Sequence, residues 1–132
     1  MKFFITGGSG FIGSNFILNN INEHTFLNYD KLTYAGNQEN LKSISKYKNY
    51  TFLKGDLCDG DFIQATLDSF KPDIIVNFAA ESHVDRSIEG PKNFIDTNIV
   101  GTFNLLSSSL AYYNNCSENK KKHFKFLHIS TD

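Results

Sequence analysis

Short apolar runs alternate along the chain with longer stretches in which apolar residues recur at helical spacing. The apolar runs predict five β-strands, at residues 2–6, 25–29, 50–54, 74–78 and 124–130. The stretches between them predict helices at residues 11–20, 38–47, 61–70 and 91–113, and a polar loop at 114–122. Strands that alternate with helices are typical of βαβ units, so we expect an α/β fold built on a parallel sheet.

The last predicted helix, at residues 91–113, carries the longest apolar pattern. Pro91 suits its first turn, where an amide hydrogen is not needed. The simplest interpretation of its apolar positions is that they face the core. These positions are Phe94, Ile95, Ile99, Phe103, Leu106 and Leu110.

Composition narrows the class of protein. Of the 132 residues, 40% are hydrophobic and 14% aromatic, which predicts one globular domain over residues 1–132 and no second domain. The net charge of −1 offers no basic field, so neither nucleic acid nor a membrane is expected as a partner. Cys58 and Cys116 fit no disulfide framework and no segment approaches transmembrane length, which favours a cytoplasmic protein. The histidines form no ligand set, so no metal is expected.

A glycine loop separates the first predicted strand from the first helix. Gly7 allows a tight turn, Gly10 lets the backbone approach a pyrophosphate, and Gly13 lets the helix pack close to the sheet. The amides at the helix start, near Phe11 and Ile12, are expected to point at phosphates. Because a strand precedes the loop and a helix follows it, the loop predicts a dinucleotide site rather than a plain turn.

Two acidic residues end neighbouring strands of the predicted sheet. Asp30 follows Gly13 at close to the interval of about 20 residues that is typical of a ribose-binding acid. Its charge would repel a 2′-phosphate, which favours NAD over NADP. Asp56 ends the third strand and is placed to accept from an adenine amino group. Each of them could instead be an ordinary turn aspartate.

The spacing Thr-Gly-x-x-Gly-x-x-Gly at residues 6–13 resembles the extended short-chain dehydrogenase/reductase superfamily. Residues 28–37, 77–88 and 97–102 resemble the strand-two, strand-four and long-helix signatures of the dTDP-glucose 4,6-dehydratase family. The resemblance implies a Rossmann-like doubly wound parallel sheet, with its first five strands present, and NAD as the cofactor. It also implies an N-terminal part of an NAD-dependent hydro-lyase, with the C-terminal substrate region absent.

The resemblance assigns site residues one by one. It implies that the cofactor contacts Gly7, Gly10, Phe11, Ile12, Gly13, Asp30, Lys31, Leu32, Thr33, Asp56, Leu57, Phe78, Ala79, Ala80, Glu81, Ser82 and Thr97. It implies that Ser82 and Thr131 contact the sugar nucleotide, that Thr131 hydrogen-bonds the sugar C4 oxygen, and that Asp132 is the general acid. Asp85 and Arg86 are expected to form an ion pair beside the cofactor or to contact the substrate.

In the family that the chain resembles, NAD oxidises the C4 hydroxyl of dTDP-glucose, water leaves across C5 and C6, and the hydride returns to C6. The family's glutamate base would follow Asp132. The Tyr-x-x-x-Lys pair is also expected further on, since no lysine lies four residues after Tyr112 or Tyr113. We therefore expect the chain to bind NAD but to be inactive alone. Self-association, as a homodimer or otherwise, is also expected, because the fifth strand would present a bare edge. The resemblance implies in addition that part of the predicted helix at residues 91–113 faces a second subunit.

Two other functions stay open at the level of the sequence. One is another NAD-dependent sugar-nucleotide enzyme, such as a 4-epimerase or a dehydratase for a different nucleotide. The other is a non-catalytic NAD-binding module. Asp132 favours a dehydratase over an epimerase, because an epimerase needs no acid–base pair after Thr131.

Overall fold

The computed structural model describes residues 1–82, 88 and 90–130 and contains one parallel sheet. Its strands are β1 (Lys2–Thr6), β2 (Thr25–Asp30), β3 (Tyr50–Lys54), β4 (Ile74–Asn77) and β5 (Lys125–His128). Their order is β3-β2-β1-β4-β5, and each neighbouring pair is parallel. This is the strand order of the first five strands of a doubly wound sheet, so the predicted Rossmann-like α/β fold is confirmed.

The strand predictions agree with the structure to within a few residues. β1 and β3 have the predicted bounds, and β2 runs one residue further, to Asp30. β4 and β5 are shorter than predicted. The Phe78 amide still donates to the Thr6 carbonyl at 3.0 Å, and the Ile129 amide to the Asn77 carbonyl at 3.1 Å, so pairing fades gradually beyond these two strand ends.

The helices connect successive strands and cover both faces of the sheet. They are α1 (Phe11–Asn20), α2 (Gly60–Phe70), α3 (Pro91–Phe94), α4 (Thr102–Asn115) and α5 (Glu118–His123). A 3-10 helix spans Gln38–Ile44, and a π-helical segment, Ile95–Gly101, joins α3 to α4. α1 has the predicted bounds, and Pro91 occupies the first turn of α3 as predicted.

Two predictions about the connections are wrong. The polar loop at 114–122 contains α5, because the Ser117 side chain caps it by accepting from the Lys120 amide at 3.3 Å. The helix predicted at 38–47 is a 3-10 helix that ends at Ile44. Residues three apart share a face of a 3-10 helix, and here Leu41 and Ile44 are both buried against the sheet.

The core lies on both faces of the sheet, because successive strand residues point to opposite sides. Phe4 of β1 packs with α2 and α4 on one face. Phe3 and Ile5 pack with α1 and the 3-10 helix on the other. Burial on both faces explains why β1 reads as an almost continuous apolar run.

The expectation that the apolar positions of the last helix face the core is wrong. α4 buries a face that includes Leu105, Ser108, Ser109 and Tyr112, and the Ser108 hydroxyl donates to the Gly60 carbonyl of α2 at 3.3 Å. The small side chain of Ser108 lets α4 approach α2 closely. Phe94 is half-buried. The other apolar positions are exposed and form a continuous apolar stripe, which consists of Ile95, Ile99, Phe103, Leu106 and Leu110.

Candidate cofactor-binding site

A cleft of about 340 Å³ lies at the carboxyl ends of the strands. Ligands in open α/β sheets bind at this edge, beside the point where the strand order reverses, which here lies between β1 and β4. The cleft brings together every predicted cofactor-binding residue except Leu32. Five further residues line the cleft that the sequence analysis gave no role: Tyr29, Ala35, Gly36, Gly55 and Ile129.

Gly7 makes the turn from β1 into the cleft. Its φ of +68° is left-handed, and a Cβ there would lie 2.6 Å from the Ala79 amide nitrogen. The Gly7 amide donates to the Tyr29 carbonyl at 3.2 Å, and the Gly7 carbonyl accepts from the Gly10 amide at 3.2 Å. Only glycine fits both the dihedral angle and the space, so Gly7 sets the path of the loop.

Gly13 and Gly10 lack side chains for different reasons. A Cβ at Gly13 would lie 2.5 Å from the Gly7 carbonyl oxygen and 2.7 Å from the Gly8 Cα, so Gly13 is needed for α1 to pack on the loop. A Cβ at Gly10 would meet nothing closer than 3.4 Å. Gly10 is therefore not required by packing, and the space in front of it belongs to the cleft.

The first turn of α1 presents its backbone amides to the cleft. No side chain caps this helix start, and Phe11 and Ile12 are 82% and 61% exposed. The first amides of a helix have no partner within the helix, and the helix dipole adds positive potential there. This arrangement suits a phosphate group.

Asp30 is buried, with 8% of its surface exposed, and both carboxylate oxygens accept backbone hydrogen bonds. Oδ2 accepts from the Ser9 amide at 2.9 Å, and Oδ1 accepts from the Leu32 amide at 2.8 Å. Asp30 therefore has the turn-aspartate role and also lines the cleft. The second bond holds Leu32 at a left-handed φ of 56°, and the cleft lining does not include Leu32.

Asp56 stands at the β3 side of the cleft and pairs with Lys31, whose Nζ lies 2.6 Å from Asp56 Oδ2. Burial raises the pKa of the Asp56 carboxyl, but hydrogen bonds from the Cys58 amide and Lys31 outweigh this, so its pKa is below the usual value. The hydrogen bond that Lys31 donates to Asp56 in turn raises the pKa of Lys31. The pair is thus charged at neutral pH.

The β4 side of the cleft is held by two asparagines that sequence reasoning missed. Asn77 is fully buried, and its Oδ1 accepts from the Thr6 hydroxyl and from the Ala79 amide. Asn98 accepts from the Glu81 amide at 2.8 Å and donates to the Glu81 carbonyl at 2.9 Å. Asn98 lies beside Thr97 in the π-helical segment, a distortion that is frequent at functional sites.

One Tyr-x-x-x-Lys spacing does occur in the chain, from Tyr50 to Lys54. It spans β3, where residues four apart are separated by about 13 Å, rather than one helical turn. Burial raises the pKa of Tyr50, and its hydroxyl accepts from Asn28 Nδ2 at 3.1 Å. This pair is therefore part of the structural framework and cannot serve as the catalytic pair.

Several predicted functional residues lie outside the described residues: Asp85, Arg86, Thr131 and Asp132. Among the residues that are described, no group of three or more His, Cys, Asp or Glu side chains could hold a metal ion. None of the helices in the described ranges has the length and hydropathy that a membrane crossing requires.

The parallel strand order, the left-handed glycine turn and the buried acid at the end of β2 define the Rossmann-like class of α/β proteins. The family model described as GDP-mannose 4,6 dehydratase matches residues 4–132. The chain belongs to this family.

The chain is similar in sequence or structure to two dTDP-glucose 4,6-dehydratases and to a UDP-glucose 4-epimerase. Over 134 residues the chain is 50% identical to the dTDP-glucose 4,6-dehydratase of Salmonella typhimurium strain LT2, with all of the chain and 37% of that protein covered. The crystal structure of the Bacillus anthracis dTDP-glucose 4,6-dehydratase in complex with NAD matches with a TM-score of 0.78 and 37% identity, over 99% of this chain and 37% of that one. The UDP-glucose 4-epimerase of Thermotoga maritima with UDP-glucose matches with a TM-score of 0.76 and 30% identity, over 85% and 35%.

The chain spans little more than a third of the length of these relatives.

Two glycine substitutions should separate folding from the shape of the cleft. Gly13→Ala places a methyl group against backbone atoms, and we expect it to lower the free energy of unfolding by about 1–3 kcal/mol. Gly10→Ala meets no such contact and should cost less than about 1 kcal/mol. Urea unfolding followed by circular dichroism measures both, and equal losses for the two variants would contradict this account of the loop.

Proposed function

We propose that the cleft binds NAD and that the whole protein is a dTDP-glucose 4,6-dehydratase. The observation that carries the proposal is the meeting of two groups in one cleft: the uncapped start of α1 behind Gly10 and the carboxylate of Asp30. The first suits a pyrophosphate and the second a ribose. The NAD in the B. anthracis structure and the name of the S. typhimurium relative support the same cofactor and reaction.

The residues present fit an adenine dinucleotide. Each Asp30 oxygen accepts one backbone amide and keeps a second lone pair that can accept from a ribose hydroxyl. A 2′-phosphate would meet the negative charge of the same carboxylate, which favours NAD over NADP. The charged Asp56 lines the same cleft and can accept from an adenine amino group, with Leu57 beside it in the cleft lining.

The remaining predicted residues divide between the two ends of the cofactor. We assign the amides of Phe11 and Ile12 to the pyrophosphate, and the segment 31–33 to the adenosine ribose. We assign the segment 78–82, which follows β4, to the nicotinamide half, and Thr97, which also lines the cleft, to the cofactor without choosing one half. Leu32 serves this site through its backbone, which Asp30 holds.

NAD, when bound, supplies a reversible hydride acceptor. We propose that Thr131 hydrogen-bonds the sugar C4 oxygen, that Ser82 contacts the sugar nucleotide, and that Asp132 is the acid that protonates the departing hydroxyl. These roles belong to the whole protein, because the reaction also needs a base and a pair of residues for hydride transfer. The chain of 132 residues is expected to bind NAD without turnover.

A 4-epimerase is the second candidate, because the T. maritima epimerase matches with a TM-score of 0.76. The two reactions share the cofactor and the oxidation at C4 but differ in the acid and base that eliminate water. Asp132 favours the dehydratase. A glutamate at the position after Asp132 in the full gene would support dehydration, and its absence would favour the epimerase.

Titration calorimetry tests the cofactor site on the chain as it is. We expect heat of binding with NAD and NADH, and weaker binding of NADP because Asp30 repels the additional phosphate. Gly10→Ala should weaken NAD binding by about tenfold or more while the protein stays folded, because its methyl group occupies the space in front of α1.

A folded chain that gives no heat with NAD or NADH would contradict the proposal. Equal binding by Gly10→Ala and the unsubstituted chain would remove the pyrophosphate assignment alone.

We further propose that the protein self-associates as a homodimer through the apolar stripe. The stripe is exposed along two helical segments, with Phe103 at 66% and Ile99 at 64% exposure. Exposed contiguous apolar surface of this kind marks interaction sites in proteins. The bare edge of β5, where Leu127 is 51% exposed, is the alternative surface.

Sedimentation velocity tests the stripe. Phe103→Glu places a charge at its centre and should raise the dimer dissociation constant by about tenfold or more, since burying an unpaired charge is costly. Tyr47→Glu is the matched control, because Tyr47 is an exposed aromatic residue outside the stripe and the cleft. A monomeric unsubstituted chain, or a dimer that Phe103→Glu leaves intact, would contradict the proposal.

A further inference from the structure

The segment 31–37, which we call the strap, leaves β2 at the cleft and is held at both ends. At its start, Lys31 pairs with Asp56 at 2.6 Å, which ties it to the end of β3. At its end, the Asn37 amide donates to the Ser9 carbonyl at 3.0 Å, which ties it to the glycine loop. Between these points the Gly36 amide donates to the Thr33 carbonyl at 3.0 Å and closes a turn.

A hydrogen bond also joins the middle of the strap to the far side of the cleft. The Tyr34 hydroxyl donates to Glu81 Oε2 at 3.0 Å. Tyr34 follows β2 and Glu81 follows β4, and in the sheet β1 lies between these two strands. The bond therefore passes from one side of the glycine loop to the other, across the carboxyl end of β1.

The residues next to this bond line the cleft on both walls. Thr33, Ala35 and Gly36 contribute from the strap, and Ala80 and Ser82 contribute from the segment after β4. The Tyr34–Glu81 bond joins the two walls. A molecule in the cleft would be bordered by the glycine loop, the strap and the segment after β4.

Neither partner of this bond is explained by core packing. Tyr34 is 45% exposed and belongs to neither core cluster. Glu81 is held in place by its backbone, which Asn98 binds at both the amide and the carbonyl. A hydrogen bond from a hydroxyl to a carboxylate is stronger than a hydrogen bond between two neutral groups. Glu81 is thus a fixed charged anchor, and Tyr34 is the group that it holds.

We propose that the Tyr34 hydroxyl and the Glu81 carboxylate form a latch that keeps the strap over the cleft and slows the release of a bound dinucleotide. Tyr34 acts as a positioning residue, since its hydroxyl is used to hold the strap rather than to bind the cofactor. The inference rests on the proposed NAD site. A cofactor that is reduced and reoxidised within one cycle benefits from slow release, because it need not leave between turnovers.

Stopped-flow displacement tests the latch. NADH bound to the chain is chased with excess NAD, and the loss of its fluorescence gives the dissociation rate. We expect Tyr34→Phe, which removes only the hydroxyl, to raise this rate by about five- to tenfold, the effect of losing one solvent-exposed hydrogen bond. Tyr47→Phe is the matched control, because Tyr47 has nearly the same exposure, 46%, and lies outside the cleft.

A second variant isolates the pairing. Glu81→Gln keeps an acceptor but removes the charge, so the dissociation rate should rise less than in Tyr34→Phe. In a Glu81→Gln background, Tyr34→Phe should raise the dissociation rate by a smaller factor than in the unsubstituted chain, because the bond that it removes is already weakened. An equal factor in the two backgrounds would overturn the latch.

The outcomes distinguish the latch from the site beneath it. If the unsubstituted chain binds NADH and the rate is the same in Tyr34→Phe, Tyr47→Phe and the unsubstituted chain, the latch is overturned and the NAD site stands. If the folded unsubstituted chain binds no NADH, the NAD site is overturned and the latch falls with it.

Discussion

The carboxylate of Asp30 is the interaction on which the rest of the cleft depends. It lies at the end of β2, but it accepts from Ser9 in the glycine loop and from Leu32 at the start of the strap. The Asp30 side chain therefore holds two backbone segments in place, the glycine loop and the start of the strap. A buried carboxylate needs such donors to offset the loss of hydration, and charge-assisted bonds to amides supply them.

This constraint works because the strands behind it are rigid. β1, β2 and β4 are packed on both faces by the two core clusters, so their carboxyl ends are held at fixed spacing. Gly7 and Gly13 then allow the loop to fold back on α1 without side chains in the way. The result is a row of helix amides and a carboxylate that face the same space, a combination suited to a ligand with both phosphate and hydroxyl groups.

Most of this could be predicted from the sequence, for physical reasons that differ between residues. Gly7 and Asp30 could be placed because a left-handed turn and a strand-end acid have short-range signals. The covered face of α4 could not, because the stripe through Ile99 and Phe103 has the helical spacing of a core face. The face that packs uses small residues such as Ser108, which carry no hydrophobic signal.

The links across the cleft were also beyond sequence reasoning. Lys31 and Asp56, or Tyr34 and Glu81, are far apart along the chain, and only the strand order brings them together. α5 was missed because six mostly polar residues resemble a loop, and the cap from Ser117 is visible only in the structure. The Tyr50–Lys54 spacing shows the reverse problem, since a pattern with functional meaning on a helix has none on β3.

The central claim is that Asp30 organises the cleft, and residue-resolved amide hydrogen exchange in the ligand-free protein tests it most directly. In Asp30→Asn, one of the two acceptor oxygens becomes an amide donor, so the Ser9 and Leu32 amides cannot both be satisfied. We expect at least one of these amides to exchange about tenfold faster or more, while the amides of β4 keep their protection. Unchanged exchange at both Ser9 and Leu32 would contradict the account.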